Sequence, residues 1–308
     1  MQKFLDLITQ FDNSEWLIEE KEITYGKKLG DGASGVTYLA DYAGEKVAVK
    51  SYSPAILTHD TNSVKNEMDI MSKMKHKNIV QFRGLCLRKD RPAASLVTKF
   101  AEKGELGDAL YNSRLVRRKG DPLRFKIVLG LAEGLQYLHS YHVIHRDIKP
   151  ANILLDDNYE PMLTDFGFSR FIDEDSADKM TGETGSYRYM APEVTCHSHY
   201  TEKADTYSFA LICNEIFTDE RPFEYQIAAV VAVDVVKKNL RPSQKKIKNE
   251  RLRDIIARCW DANPDLRPEW AEVISELKLA QQEMEQKRGP SIGSLFRKKV
   301  HGSSASAS

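Results

Sequence analysis

The run His145-Arg146-Asp147-Ile148-Lys149-Pro150-Ala151-Asn152 is followed by the strand-like Ile153-Leu154-Leu155 and then by Thr164-Asp165-Phe166-Gly167. It gathers three oxygen donors with different uses. Asp147 could accept the proton of an attacking hydroxyl, while Asn152 and Asp165 could act as hard ligands for a Mg²⁺ ion bridging phosphates. Each of the three, taken singly, is an ordinary turn residue. Together and in this order they read as a site.

Upstream, Leu29-Gly30-Asp31-Gly32-Ala33-Ser34-Gly35 lies between two strand-like runs, where glycines let a backbone turn tightly and aim its amides at a polyphosphate. The strand VTYLA follows the last glycine where a dinucleotide fingerprint would open a helix, which argues against that reading. By itself the segment is also compatible with a glycine-rich hairpin. Val47-Ala48-Val49-Lys50 then ends a strand, and Lys50 could reach phosphates under the loop or stand as a solvated edge lysine. Glu67 favours the first reading. It shares a helix face with Val64, Met68, Met71 and Met74, where an unpaired carboxylate would be costly, so Lys50 is its natural partner. The pair would fix the lysine, and position is most of what phosphate chemistry asks of a protein.

The elements needed to hold these groups are visible in the pattern. Residues 23–52 read as antiparallel strands with a turn at Ala43-Gly44, and Val47, Val49 and Tyr52 as the apolar alternation. Thr58–Lys75 reads as one amphipathic helix capped by Asp60 or Thr61. Asp121 and Pro122 open a long helix, Tyr207–Phe217 is apolar enough to be buried on all sides, and Arg251–Gln286 forms two helices broken at Pro264. The 308 residues, 41% hydrophobic, suffice for one or two domains. Lys plus Arg and Asp plus Glu balance at 45 each, so no global field attracts nucleic acid or acidic membrane. Four dispersed cysteines fit buried thiols in a reducing compartment, hence a cytoplasmic protein. No run approaches the ~20 apolar residues of a membrane span, and no export signal is expected. Phe4, Ile8 and Phe11 suggest a helical start, and residues 289–308 a disordered Gly/Ser-rich tail with a short basic cluster at Arg297, Lys298 and Lys299.

These motifs, together with Met190-Ala191-Pro192-Glu193, resemble the signature set of the protein kinase superfamily. The wording Gly185-Ser186-Tyr187-Arg188-Tyr189 and Cys259-Trp260-Asp261-Ala262-Asn263-Pro264-Asp265-Leu266-Arg267-Pro268 is similar to the tyrosine-kinase-like group, near the mixed-lineage and Raf-type kinases. The resemblance implies an α+β, bilobal fold over residues 23–280. An antiparallel-sheet N-lobe (23–98) with one regulatory helix would lead through a hinge (99–101) to a mainly helical C-lobe (102–280), flanked by an N-terminal extension (1–22) read as helical and by residues 281–308.

The same resemblance implies ATP between the lobes, against Leu29, Gly30, Asp31, Gly32, Ala33, Ser34, Gly35, Thr37, Ala48, Lys50, Thr98, Phe100, Ala101, Leu154 and Asp165. It makes Asp147 the catalytic base, supported by Lys149, Asn152, Lys50 and Glu67. Asn152 and Asp165 become ligands of Mg²⁺, with Mn²⁺ as a possible substitute. Asp205 would brace the catalytic loop, and Arg267 would pair with Glu193. Lys149 resembles serine/threonine kinases, with dual specificity and a pseudokinase scaffold as alternatives. Retention of Lys50, Asp147 and Asp165 argues against the scaffold. Arg146 implies a basic pocket for a phosphate on Thr181 or Thr184, added by an upstream kinase or by the protein itself. Thr37 stands where the family has valine, and a small loss of ATP affinity is expected. Glu105 could meet ribose or a substrate arginine, or face solvent.

Overall fold

The computed structural model describes residues 15–32, 34–88, 93–171 and 186–287. The expectations for Phe4, Ile8, Phe11, Ala33, Thr181, Thr184 and the tail fall outside these residues.

The first lobe is a five-stranded antiparallel sheet of order β1-β2-β3-β5-β4, built from β1 (Thr24–Gly32), β2 (Gly35–Tyr42), β3 (Glu45–Tyr52), β4 (Phe82–Arg88) and β5 (Ala93–Lys99). Tyr42 pairs with Glu45 across Ala43 and Gly44, both at positive φ (51° and 79°), the two-residue turn whose twist matches the strands. Val47 and Val49 face one side of the sheet and join Ile18, Ile23, Ala40, Cys86 and Val97 in a small core. Tyr52 corrects the expected alternation. A strand changes face at every residue, so Tyr52 shares its side with Ala48 and Lys50 and packs into the larger core instead.

A short helix α1 (Pro54–His59) precedes the predicted one, which is α2 (Thr61–Lys73) with Asp60 as its N-cap, as the sequence allows. Asp60 separates them at φ −134°, its backbone N–H donating to Ile56 O (2.9 Å) and its carboxylate accepting from Ser63 N (3.3 Å). Met74 is the C-cap of α2. Residues 15–22 are also not the expected α-helix. Leu85 N donates to Trp16 O and Ile18 N to Leu85 O, each at 2.8 Å, so this stretch pairs with the otherwise open edge strand β4, and the Trp16 ring lies 5.1 Å from Phe82.

The second lobe contains α3 (Leu115–Lys119), α4 (Asp121–Ser140), α5 (Pro192–Thr195), α6 (Lys203–Thr218), α7 (Ala228–Lys238), α8 (Glu250–Cys259) and α9 (Trp270–Lys287). Two small sheets line its upper surface, one of β6 (Gly104–Glu105), β8 (Ile153–Leu155) and β9 (Pro161–Leu163), the other of β7 (Val143–Ile144) and β10 (Arg170–Phe171). Every residue of α6 from Ala204 to Thr218 is buried, as its apolar run requires. Between α8 and α9 the helical pattern is broken from Trp260 to Glu269, wider than Pro264 alone. Arg267 fills that break, donating to both oxygens of Glu193 (2.6 and 2.8 Å) and to the carbonyls of Lys203 (2.7 Å) and Asp261 (2.9 Å). One apolar cluster runs from Tyr52 and Leu57 through α4 and α6 to Ala280, so the lobes share a core.

Candidate functional site

β3 and α2 bring Lys50 and Glu67 together. Lys50 Nζ donates to both oxygens of Glu67 and to Asp165 Oδ1, each at 2.9 Å. Burial works to lower the lysine's pKa, but the carboxylates of Glu67 and then Asp165 outweigh it and hold the ammonium above its ordinary value. Asp165 is likewise opposed by burial and drawn down by Lys50, so it stays ionised. Tyr52 donates its hydroxyl to Glu67 Oε2 (2.8 Å), and burial pushes its own pKa well up. Sequence reading missed Tyr52, although strand parity puts it beside Lys50.

The segment after β9 is tied to α2 by two further side chains. Ser63 Oγ donates to Gly167 O (2.8 Å) and Asn66 Nδ2 to Ser169 O, while Phe166 is buried against the His145 ring at 5.0 Å. Asp165 itself has φ 63° and ψ 73°, a left-handed conformation uncommon outside glycine and asparagine, held by these contacts.

Asp147, on the loop between β7 and β8, lies 2.7 Å from Lys149 Nζ and accepts from Asn152 Nδ2 (2.8 Å), which also donates to Asp147 O (2.8 Å). Because the amide nitrogen of Asn152 is committed to Asp147, its carbonyl oxygen is the atom left for a cation. With the Asp165 carboxylate this is an oxygen donor set, which fits a hard divalent ion completed by phosphate and water.

The loop hangs from Asp205 of α6. His145 N donates to its Oδ2 (2.8 Å) and Arg146 N to its Oδ1 (2.9 Å), with Arg146 at φ 72°. His139 Nε2 also meets Oδ2 (2.9 Å), and Trp270 Nε1 donates to His139 Nδ1 (2.7 Å), which assigns the remaining ring proton to Nε2. Burial would raise the Asp205 pKa, but the hydrogen bond from His139 and the surrounding partners hold it below its ordinary value. Neither His139 nor Trp270 carried a sequence signal, being 131 residues apart.

The glycine loop is the turn from β1 to β2. A Cβ on Gly35 would lie 2.0 Å from Ser51 O, so only glycine fits there, whereas Gly30 meets nothing within 4 Å and leaves open space beneath the strands. Leu29 is exposed, as are Asp31 and Gly32, and Thr37 pairs in register with Lys50. Ala48 faces Thr98 across β3 and β5, and Thr98 Oγ1 reaches Ala48 O at 3.5 Å. Phe100 and Ala101 follow β5, where the chain crosses from the first lobe to the second, and Leu154 pairs with Glu105 just beyond that crossing. Glu105 is exposed, and partial desolvation of its carboxyl and then Asp108 raise its pKa. Arg146 has its guanidinium 5.4 Å from the Tyr200 ring.

Residues 23–277 match the family described as protein tyrosine and serine/threonine kinase, and the chain belongs to that family. It is 36% identical over 283 residues to the serine/threonine-protein kinase STY46 of Arabidopsis thaliana, covering 90% of this chain and 48% of that one. Identity to the dual specificity protein kinase shkB of Dictyostelium discoideum is 34% (85% and 41% covered), and to the serine/threonine/tyrosine-protein kinase HT1 of Arabidopsis thaliana 32% (87% and 68% covered). The chain thus spans less than half the length of the first two. Its family uses ATP with a divalent cation to phosphorylate proteins. No described helix is long and apolar enough to cross a membrane.

Proposed function

We propose that this chain is an active kinase that moves the γ-phosphoryl group of ATP to serine or threonine hydroxyls of proteins. The observation that carries the reading is the joint placement of Lys50 between Glu67 and Asp165 and of Asp147 between Lys149 and Asn152. A scaffold has no need of both.

When bound, Mg·ATP supplies the transferable phosphoryl group and a cation that offsets its charge. Asn152 Oδ1 and the Asp165 carboxylate would hold the cation. Lys50, fixed by Glu67, would hold phosphate oxygens together with the Gly30 and Gly32 backbone, and Leu29, Ala48, Thr98, Phe100, Ala101 and Leu154 would contact the base. Asp147 orients the acceptor hydroxyl and takes its proton, while Lys149 offsets charge beside it. Mg²⁺ is the expected ion, with Mn²⁺ able to replace it.

Serine/threonine specificity is supported by Lys149 at the acceptor carboxylate and by the name of STY46. The names of shkB and HT1 favour dual specificity as the second reading. A phosphate on Thr181 or Thr184, added by an upstream kinase or by the protein itself, would dock at Arg146. Cys86, Cys213 and Cys259 are buried as expected and Cys196 is exposed, and the absence of a disulfide framework among the four supports a reducing, cytoplasmic setting.

The test is transfer from labelled ATP with Mg²⁺ to generic protein acceptors, beside Asp147→Asn, with phosphorylated residues located by mass spectrometry. Loss of the base is expected to cost about 10²- to 10⁴-fold in rate. Equal transfer by both proteins would refute the role of Asp147.

A further inference from the structure

The helix α7 turns an apolar face outward. Its inner residues Val231, Ala232 and Val235 are buried, while Val230, Val233 and Val236 are exposed, and just before it Ile227 is 73% and Tyr225 96% exposed. A surface helix ordinarily shows polar side chains on that face, and a contiguous apolar stripe of this length marks an interaction surface. Among the described residues nothing covers it.

The arrangement of the stripe selects its occupant. Ile227 and Val236 lie equally far along the chain from the point between Val231 and Ala232, as do Val230 and Val233. A two-fold axis passing by Val231 and Ala232 therefore sets Ile227 of one copy on Val236 of the other, and Val230 on Val233. The ends are complementary in the same register. Glu224 and Tyr225 stand at one end, Lys237 and Lys238 at the other. Antiparallel pairing brings the acidic, aromatic end of each copy against the basic end of its mate and opposes the helix dipoles. Lys238 is already bound to Asp234 within its own helix at 3.0 Å, and Lys237 has no ion pair among the described residues. A membrane would favour basic residues at both ends, which Glu224 contradicts.

We propose that α7 is a homodimer interface, in which two copies of this chain bury the Tyr225–Val236 stripes against each other. The interface adjoins Arg188, which follows Thr181 and Thr184 in the chain. Arg188 donates to the carbonyls of Pro222 (3.1 Å), Phe223 and Gln226 (2.7 Å), the segment leading into α7. Pairing thus sets the substrate-facing loops of two copies at a fixed separation.

Sedimentation velocity on the full chain from about 1 to 100 μM tests this. A concentration-dependent dimer is expected, weakened at least roughly tenfold by Val233→Glu, which sets two carboxylates near the axis. Unchanged melting would show that this exposed substitution leaves the fold intact, with Val236→Glu as the second variant. Glu224→Lys and Lys237→Glu should each weaken the dimer, and their combination in one chain should restore it. A monomer throughout the range, or a dimer indifferent to Val233→Glu and Val236→Glu, would overturn the proposal. Neither result bears on phosphoryl transfer by the monomer.

Discussion

Tyr52→Phe isolates one hydrogen bond. The ring packs in the shared core and its hydroxyl donates to Glu67 Oε2 at 2.8 Å, both side chains being buried. Phenylalanine preserves the ring contacts and deletes only the donor, so the loss is that of a bond to an ionised acceptor, about 1.5–3 kcal/mol. For a domain of this size that corresponds to roughly 3–10 °C in Tm. Glu67 keeps Lys50, so its charge is not stranded, and the cost should stay below the 3–5 kcal/mol typical of breaking a buried pair outright. Urea unfolding of the wild type, Tyr52→Phe, Glu67→Gln and the double variant completes a cycle, with an expected coupling of about 1–2 kcal/mol. Where the bond supports the catalytic arrangement in particular, the same energy appears in kcat/KM for ATP, tenfold for about each 1.4 kcal/mol. A Tm within about 1 °C of wild type and no coupling would refute the argument that Tyr52 holds Glu67 in place.

Glu215, enclosed by the hydroxyls of Tyr111 and Tyr189, is pushed up to about 7 by burial, which outweighs those two hydrogen bonds. Its folded pKa exceeds its unfolded one, so the proton it binds stabilises the fold below about pH 4.5, and this contribution is lost as pH rises to about 7. Glu215→Gln should flatten that decline and gain up to roughly 3 kcal/mol at pH 8 relative to wild type, measured by urea unfolding at both ends of the range. Gly84→Ala would bring a Cβ to 2.5 Å from Ile18 Cδ1 and 2.6 Å from Trp16 O, so residues 15–18 should leave β4, seen as faster amide exchange at Leu85. Thr37→Val should lower the apparent KM for ATP, and an unchanged value in steady-state kinetics would exclude a cost from the hydroxyl.

What sequence made legible was local. The phosphate loop, the Asp147 and Asp165 segments and the buried α6 are short runs whose residue types state their environment. Lys50 with Glu67 was inferred across separate elements only because a carboxylate on an apolar helix face needs a cation. The remainder depended on geometry that spacing does not encode. The short helix α1 ahead of Asp60 went unread, because six residues are too few to display an apolar period. Trp16 and Ile18 pair with a strand far along the chain, and nothing in their own pattern names it. The Val-rich α7 reads as apolar on every side until packing decides which valines are covered.

The chain of contacts from Trp270 through His139 and Asp205 to the amides of His145 and Arg146 means that the catalytic loop receives its shape from a helix that comes more than a hundred residues later. During synthesis the loop emerges long before the residue that orients its support. On the proposed function, a chain stopped short of Trp270 would carry Lys50, Asp147, Asn152 and Asp165 and still lack the contact that orients His139. The loop therefore gains its full support only when the large lobe is complete.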